Sequence, residues 1–122
     1  VKKEDVMKDF KKLIVWQKSM NLFLDVHKLS KRMPVEERYE IASQVRRSAF
    51  SIPANIAEGS AKNSNAHYRQ FLETSLGSAY ETETALIAIS LLYEPLKVEI
   101  EGLLERIDEI QKMLMAFINK LK

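Results

Sequence analysis

Two histidines, one carboxylate on an apolar stripe and the serines around a proline are the side chains of this sequence that could do chemistry. His27 and His67 are the whole histidine complement, and the chain has no cysteine. Thiolate catalysis, disulfides and sulfur-based zinc sites are therefore excluded. Helical di-iron centres draw their ligands from paired Glu-x-x-His motifs. Here the residues three before the histidines are Leu24 and Ser64, so that pattern is missing. His27 also falls on an apolar stripe, where a packing role fits better than ligation. No P-loop, G-x-G-x-x-G or G-x-S-x-G motif occurs. Ser48 and Ser51, close to Pro53, have no neighbouring His/Asp pair to activate them. The sequence predicts no catalytic residues, no metal site, no cofactor and no small-molecule substrate.

Glu83 is the chemically odd residue. It falls among Tyr68, Leu72, Leu76, Ala79 and Leu86, apolar positions recurring at helical spacing. A carboxylate placed there must be paired, hydrogen-bonded or protonated, because an isolated buried charge is too costly. Arg46 or Arg47 is the expected partner, with Asn55 and Glu58 completing a polar network. Such a network either holds one chain together or fixes the register of a subunit interface.

The net charge of +2 hides an asymmetry. Residues 1–33 carry nine Lys/Arg against four Asp/Glu, a balance of +5, whereas residues 34–122 carry ten against thirteen, a balance of −3. Lys2, Lys3, Lys8, Lys11, Lys12 and Lys18 supply most of the positive end. They are the candidate contacts to RNA or DNA. The competing reading is a solvated lysine-rich arm and helix face.

These side chains need elements to position them. A chain of 122 residues predicts one domain, 1–122, with residues 1–12 as a basic N-terminal arm. No apolar run approaches the ~20 residues of a membrane span. Val1-Lys2-Lys3-Glu4-Asp5 is not followed by an apolar segment, so no leader peptide and no membrane contact are expected, and the location is expected to be cytoplasmic. Apolar periodicity predicts four helices.

Helix 1, about 13–33, carries Val15, Leu22, Val26, Leu29 and Met33 on one stripe. A second stripe, Trp16, Met20, Phe23 and His27, lies beside it and is predicted to be an oligomer interface, since it would otherwise face water; the competing reading is that the N-terminal arm or helix 4 folds over it within one chain. Pro34 ends this helix. Helix 2, about 35–61, keeps Ile41, Val45, Ala49, Ile52 and Ile56 on one face straight through Pro53. A helix-interior proline removes an N–H donor and crowds the carbonyl four residues earlier, so a kink is expected there. Helix 3 follows a break at residues 62–65, with Ser64 or Asn65 as N-cap, and reaches about Leu92. Helix 4, about 97–121, places Ile100, Leu103, Ile107, Ile110, Leu114, Phe117 and Leu121 on a heptad seam. Long helices with short turns predict an all-α, antiparallel up-down four-helix bundle.

Four runs carry a family resemblance. They are Leu13-Ile14-Val15-Trp16-Gln17-Lys18, Gln44-Val45-Arg46-Arg47-Ser48, Ser51-Ile52-Pro53-Ala54-Asn55-Ile56-Ala57-Glu58-Gly59, and Gly77-Ser78-x-x-Glu81-x-Glu83. Over about residues 10–93 the chain resembles the 23S rRNA intervening-sequence proteins, also called S23 or four-helix-bundle proteins. It departs from their pattern after Gly59, where residues 60–64 are less basic, and at Leu76, which replaces a commonly basic residue. The resemblance implies a small cytoplasmic bacterial bundle that assembles with itself as a ring-shaped homopentamer. Some members are encoded within insertions of 23S rRNA genes. A related-looking bundle is the accessory protein of diversity-generating retroelements, which partners a reverse transcriptase and nucleic acid. No biochemical function is established for the family proper. Two readings follow from residues and resemblance together: a nucleic-acid-associated oligomer, and an oligomeric protein-interaction scaffold.

Overall fold

Three prolines and three glycines in 122 residues leave long stretches with nothing to interrupt helix propagation. The computed structural model describes residues 9–37 and 40–122, and among these there is helix and turn but no strand. The four long helices are α1 (Ile14–Ser30), α2 (Ile41–Ser60), α3 (Asn65–Leu92) and α4 (Lys97–Lys120). Short 3-10 turns at Phe10–Lys12, Val35–Glu37 and Glu94–Leu96 precede α1, α2 and α4.

Chain punctuation sets these boundaries. Ser64 caps α3, its Oγ accepting from the His67 N–H at 3.1 Å. Pro95 stands within the turn that separates α3 from α4. The second helix begins later than its sequence predicts: Val35–Glu37 is a separate turn, so Glu36 and Glu37 do not occupy the first turn of α2. At Pro53, by contrast, helix is assigned without a break from Ile41 to Ser60.

Each helix packs on its chain neighbour, and α1 also packs on α4. The buried face of α1 is Val15, Leu22, Val26 and Leu29; that of α2 is Ala42, Val45, Ala49, Ile52 and Ile56. On α4 the heptad positions Ile100, Leu103, Ile107, Ile110 and Leu114 are buried, and Phe117 packs half-buried against them. On α3 the predicted positions Tyr68, Leu72, Ala79 and Leu86 are buried, while Leu76 is half-buried. Thr82 and Ile89 are buried too, and Glu83 and Ser90, one residue further round, lie half-buried at the edge.

Small side chains set the close approach of α2 and α3. Thr82 Oγ1 lies 2.8 Å from Ser48 Oγ, and Ser78 Oγ lies 2.8 Å from Ser51 Oγ. Ser75 Oγ donates to the Ile52 carbonyl at 2.9 Å, immediately before Pro53. Gly59 ends this series. A Cβ built there would stand 2.8 Å from Phe71 Cβ and 3.0 Å from Tyr68 Cδ1, so no side chain fits between the helices. Contact partners run oppositely along the pair, Ser48 with Thr82 and Gly59 with Phe71. The same opposition holds for α1 and α4, where Lys18 meets Glu109 and Asp25 meets Arg106.

Candidate interaction surface

Arg46 stands on the α1 side of α2. Its Nη1 donates to Ser30 Oγ at 3.0 Å, and Ser30 Oγ donates to the His27 carbonyl at 2.7 Å. The guanidinium thus sits at the last turn of α1, where the negative end of the helix dipole favours a cation. Arg47 is one residue on, about 100° round the helix, and is exposed. Glu83 lies elsewhere, at the α3–α4 seam, where the buried Gln111 amide donates from Nε2 to Glu83 Oε1 at 2.7 Å.

The expected pairing of Glu83 with Arg46 or Arg47 is therefore corrected. The residues that α2 turns toward α3 are Ser48, Ser51 and Ile52; Arg46 faces α1 instead, and Arg47, one turn before Ser51, is exposed. Asn55 and Glu58 do not join Glu83 either. Asn55 Nδ2 donates to the Ser51 carbonyl and to Ser51 Oγ, each at 2.8 Å, within α2. Glu58 is exposed. The five residues expected to form one network do not come together.

The second stripe of α1 leads to an aromatic surface. Trp16, Met20, Phe23 and His27 are all half-buried. Phe10, in the turn before α1, packs edge-on against Trp16 with ring centroids 5.3 Å apart. Phe23 meets Phe50 of α2 edge to face at 5.2 Å and lies 6.1 Å from the His27 ring. Phe50 remains 49% exposed. Phe23, His27, Ser43, Arg46, Arg47 and Phe50 line an open groove of about 310 Å³ between α1 and α2, with no carboxylate in its lining.

Phe50 was not singled out in the sequence. Its signal was available: it falls beside, not on, the face formed by Ala49 and Ile52, so a phenyl ring there must meet another helix or water. Phenylalanine and arginine are both enriched at protein interfaces relative to the rest of the surface.

The lysines are less concentrated. Lys2, Lys3 and Lys8 lie outside the described residues. Lys12 pairs with Asp9 at 3.6 Å and Lys18 with Glu109 at 2.9 Å, whereas exposed Lys11 has no carboxylate partner among the described residues. Two further pairs reach α4: Asp25 of α1 with Arg106, and Arg32, in the turn after α1, with Glu99. Among the described residues no group of His, Asp and Glu is placed to hold a metal ion, and no helix is long and apolar enough to cross a membrane.

Known proteins share this arrangement. A crystal structure of a protein of unknown function from the S23 ribosomal protein family of Bacteroides thetaiotaomicron VPI-5482 superimposes with a TM-score of 0.78 at 30% identity, covering 86% of this chain and 98% of that one. Curated proteins yield no match. The profile of the 23S rRNA-intervening sequence proteins matches residues 11–116, a span that holds all of α1, α2 and α3 and most of α4. The chain belongs to the 23S rRNA-intervening sequence protein family.

Proposed function

We propose that this protein is a non-catalytic, self-associating interaction scaffold, with the α1/α2 aromatic groove as a subunit interface. Its framework is an antiparallel up-down four-helix bundle bent at Pro53, a single domain held in the cytoplasm. Opposed contact partners along α2/α3 and α1/α4 support the antiparallel order. Five subunits is the number that the family resemblance implies.

The observation that carries this reading is Phe50, half exposed beside Phe23 in a groove with two arginines. Covering these rings removes apolar area from water, worth roughly 25 cal/mol per Å² buried. Light scattering at micromolar concentration tests it: the expected mass is a multiple of 14.1 kDa, and a clean 14.1 kDa monomer refutes it.

A second reading, binding of RNA or DNA, draws on Arg46 and Arg47 beside aromatic rings and on Lys11 in the basic arm. Rings and arginines together suit stacking and phosphate contact with single strands. The ion pairs of Lys12 and Lys18 favour the scaffold, because those charges are partly balanced within the chain.

A further inference from the structure

A stripe of α3 faces away from the core and keeps the period of a packing seam. Glu73, Gly77, Tyr80, Thr84, Ile87 and Leu91 alternate 4 and 3 residues apart, and all six are exposed. Tyr80, Ile87 and Leu91 are 47%, 41% and 81% exposed, three large apolar side chains on one line. A 3/4 alternation is the geometry with which one helix lies along another at a shallow angle. No described residue of the chain covers it.

Gly77 adds an independent sign. A glycine inside a helix costs about 1 kcal/mol relative to alanine. At Gly59 the close approach of Phe71 explains that cost; at Gly77 a built Cβ meets nothing within 4 Å. Gly102 on α4 is equally open, but Gly77 stands on the stripe itself, where the missing side chain leaves room for another molecule to come close.

The charges complete the match. Acidic Glu73 and Glu81 stand on or beside the α3 stripe, both exposed, while the α1/α2 groove presents Arg46 and Arg47 and no carboxylate. Phe23 and His27, the α1 residues of the groove, continue the line of Trp16 and Met20 with the same 4-and-3 alternation.

We infer that the Gly77–Leu91 stripe of one copy docks into the Phe23/Phe50 groove of the next, so that subunits associate head to tail. This rests on the self-association proposed above and names the second half of that contact. Groove and stripe belong to different faces of the chain, so the contact is heterologous. It generates a closed ring when the rotation between neighbours closes, and a filament when it does not.

Two variants test it. Phe50→Glu spoils the groove and Gly77→Arg spoils the stripe, both at exposed positions, with circular dichroism to verify the fold. If Gly77→Arg fails to fold, Leu91→Lys replaces it. Each variant alone is expected to be monomeric at micromolar concentration. A 1:1 mixture should give a heterodimer of twice 14.1 kDa, since one variant keeps its stripe and the other its groove. Assembly of the stripe variant like the unmodified chain, with loss only in Phe50→Glu, overturns this docking while leaving the groove as an interface. Two monomeric variants that do not combine also overturn it. A monomeric unmodified chain overturns the self-association reading itself.

Discussion

Gln111 on α4 reaches across to α3 and donates its amide to Glu83 at 2.7 Å, while Arg46 is bound to Ser30 on the far side of α2. The half-buried carboxylate is satisfied by a neutral amide, and this changes what its removal should do. Glu83→Ala is expected to destabilise the fold by about 1.5–3 kcal/mol, the range for a hydrogen bond to a charged group. Urea unfolding of Glu83→Ala, Gln111→Ala and the double variant should give coupling between those two residues. The same cycle with Arg46→Ala should give none, and coupling there would restore the arginine pairing.

Gly59, at a close position, and Gly77, at an open one, should respond in opposite directions. Gly59→Ala sets a Cβ 2.8 Å from Phe71 Cβ, an atom fixed to its own backbone, so the helices must separate. A loss of about 1–3 kcal/mol is expected, as for other overpacked sites. Gly77→Ala, with no neighbour to meet, should gain about 0.5–1 kcal/mol from helix propensity in the dissociated chain. Thermal melts at dilute concentration separate the two, and a stabilised Gly59→Ala would refute the close approach.

Tyr68 predicts a loss of stability in alkali. Its ring packs against Phe117 at 5.2 Å, and its hydroxyl is buried with no hydrogen-bond partner among the described residues. Burial disfavours the phenolate and raises the pKa from 10.0 to about 12. A group whose pKa is higher in the folded state contributes stability that is complete below the unfolded value. That contribution is lost as pH rises from about 10 through about 12. Tyr68→Phe removes this part of the pH dependence. It should be neutral or stabilising at pH 7, because no partner is abandoned. Urea midpoints at pH 8 and 11 for both chains provide the check.

Removing the exposed ring should separate association from folding. Phe50→Ser is expected to leave the melt of the dilute protein within about 1 kcal/mol of the original, since Phe50 contributes little to the core. Sedimentation at micromolar concentration should show the mass falling toward the single chain. Unchanged assembly would place the interface elsewhere.

If nucleic acid is the partner, Lys11→Glu with Arg47→Glu should abolish RNA binding while helical content is kept, because both side chains are exposed. Binding by the unmodified protein should then fall steeply between roughly 50 and 200 mM salt as released counterions are opposed. Gel shifts at low salt with tens of micromolar protein decide it: no shift leaves the scaffold reading alone.

Helix content was legible in the sequence because apolar spacing repeats with the helical period and few residues interrupt it. Ile100, Leu103, Ile107, Ile110 and Leu114 announced the buried seam of α4, and Ser64 announced the start of α3. The family was legible too, in the run around Pro53, since a proline inside an amphipathic helix is rare enough to be specific. Periodicity alone could not tell which of two adjacent positions on α3 is buried. Thr82 and not Glu83 turns inward, because the hydroxyls of Ser48 and Ser51 set how α3 lies against α2.

The polar partners were likewise decided by tertiary structure. A helix pattern tells which residues share a face, but partner choice depends on which helix stands opposite. With α4 beside α3, Glu83 finds Gln111; with α1 beside α2, Arg46 finds Ser30. The aromatic surface needed both levels. The stripe from Trp16 to His27 could be read along the chain, yet only the packing of α1 on α2 brings Phe50 to Phe23. Local periodicity is written in consecutive residues, whereas a groove between helices exists only once their separation and rotation are set by the side chains packed beneath it.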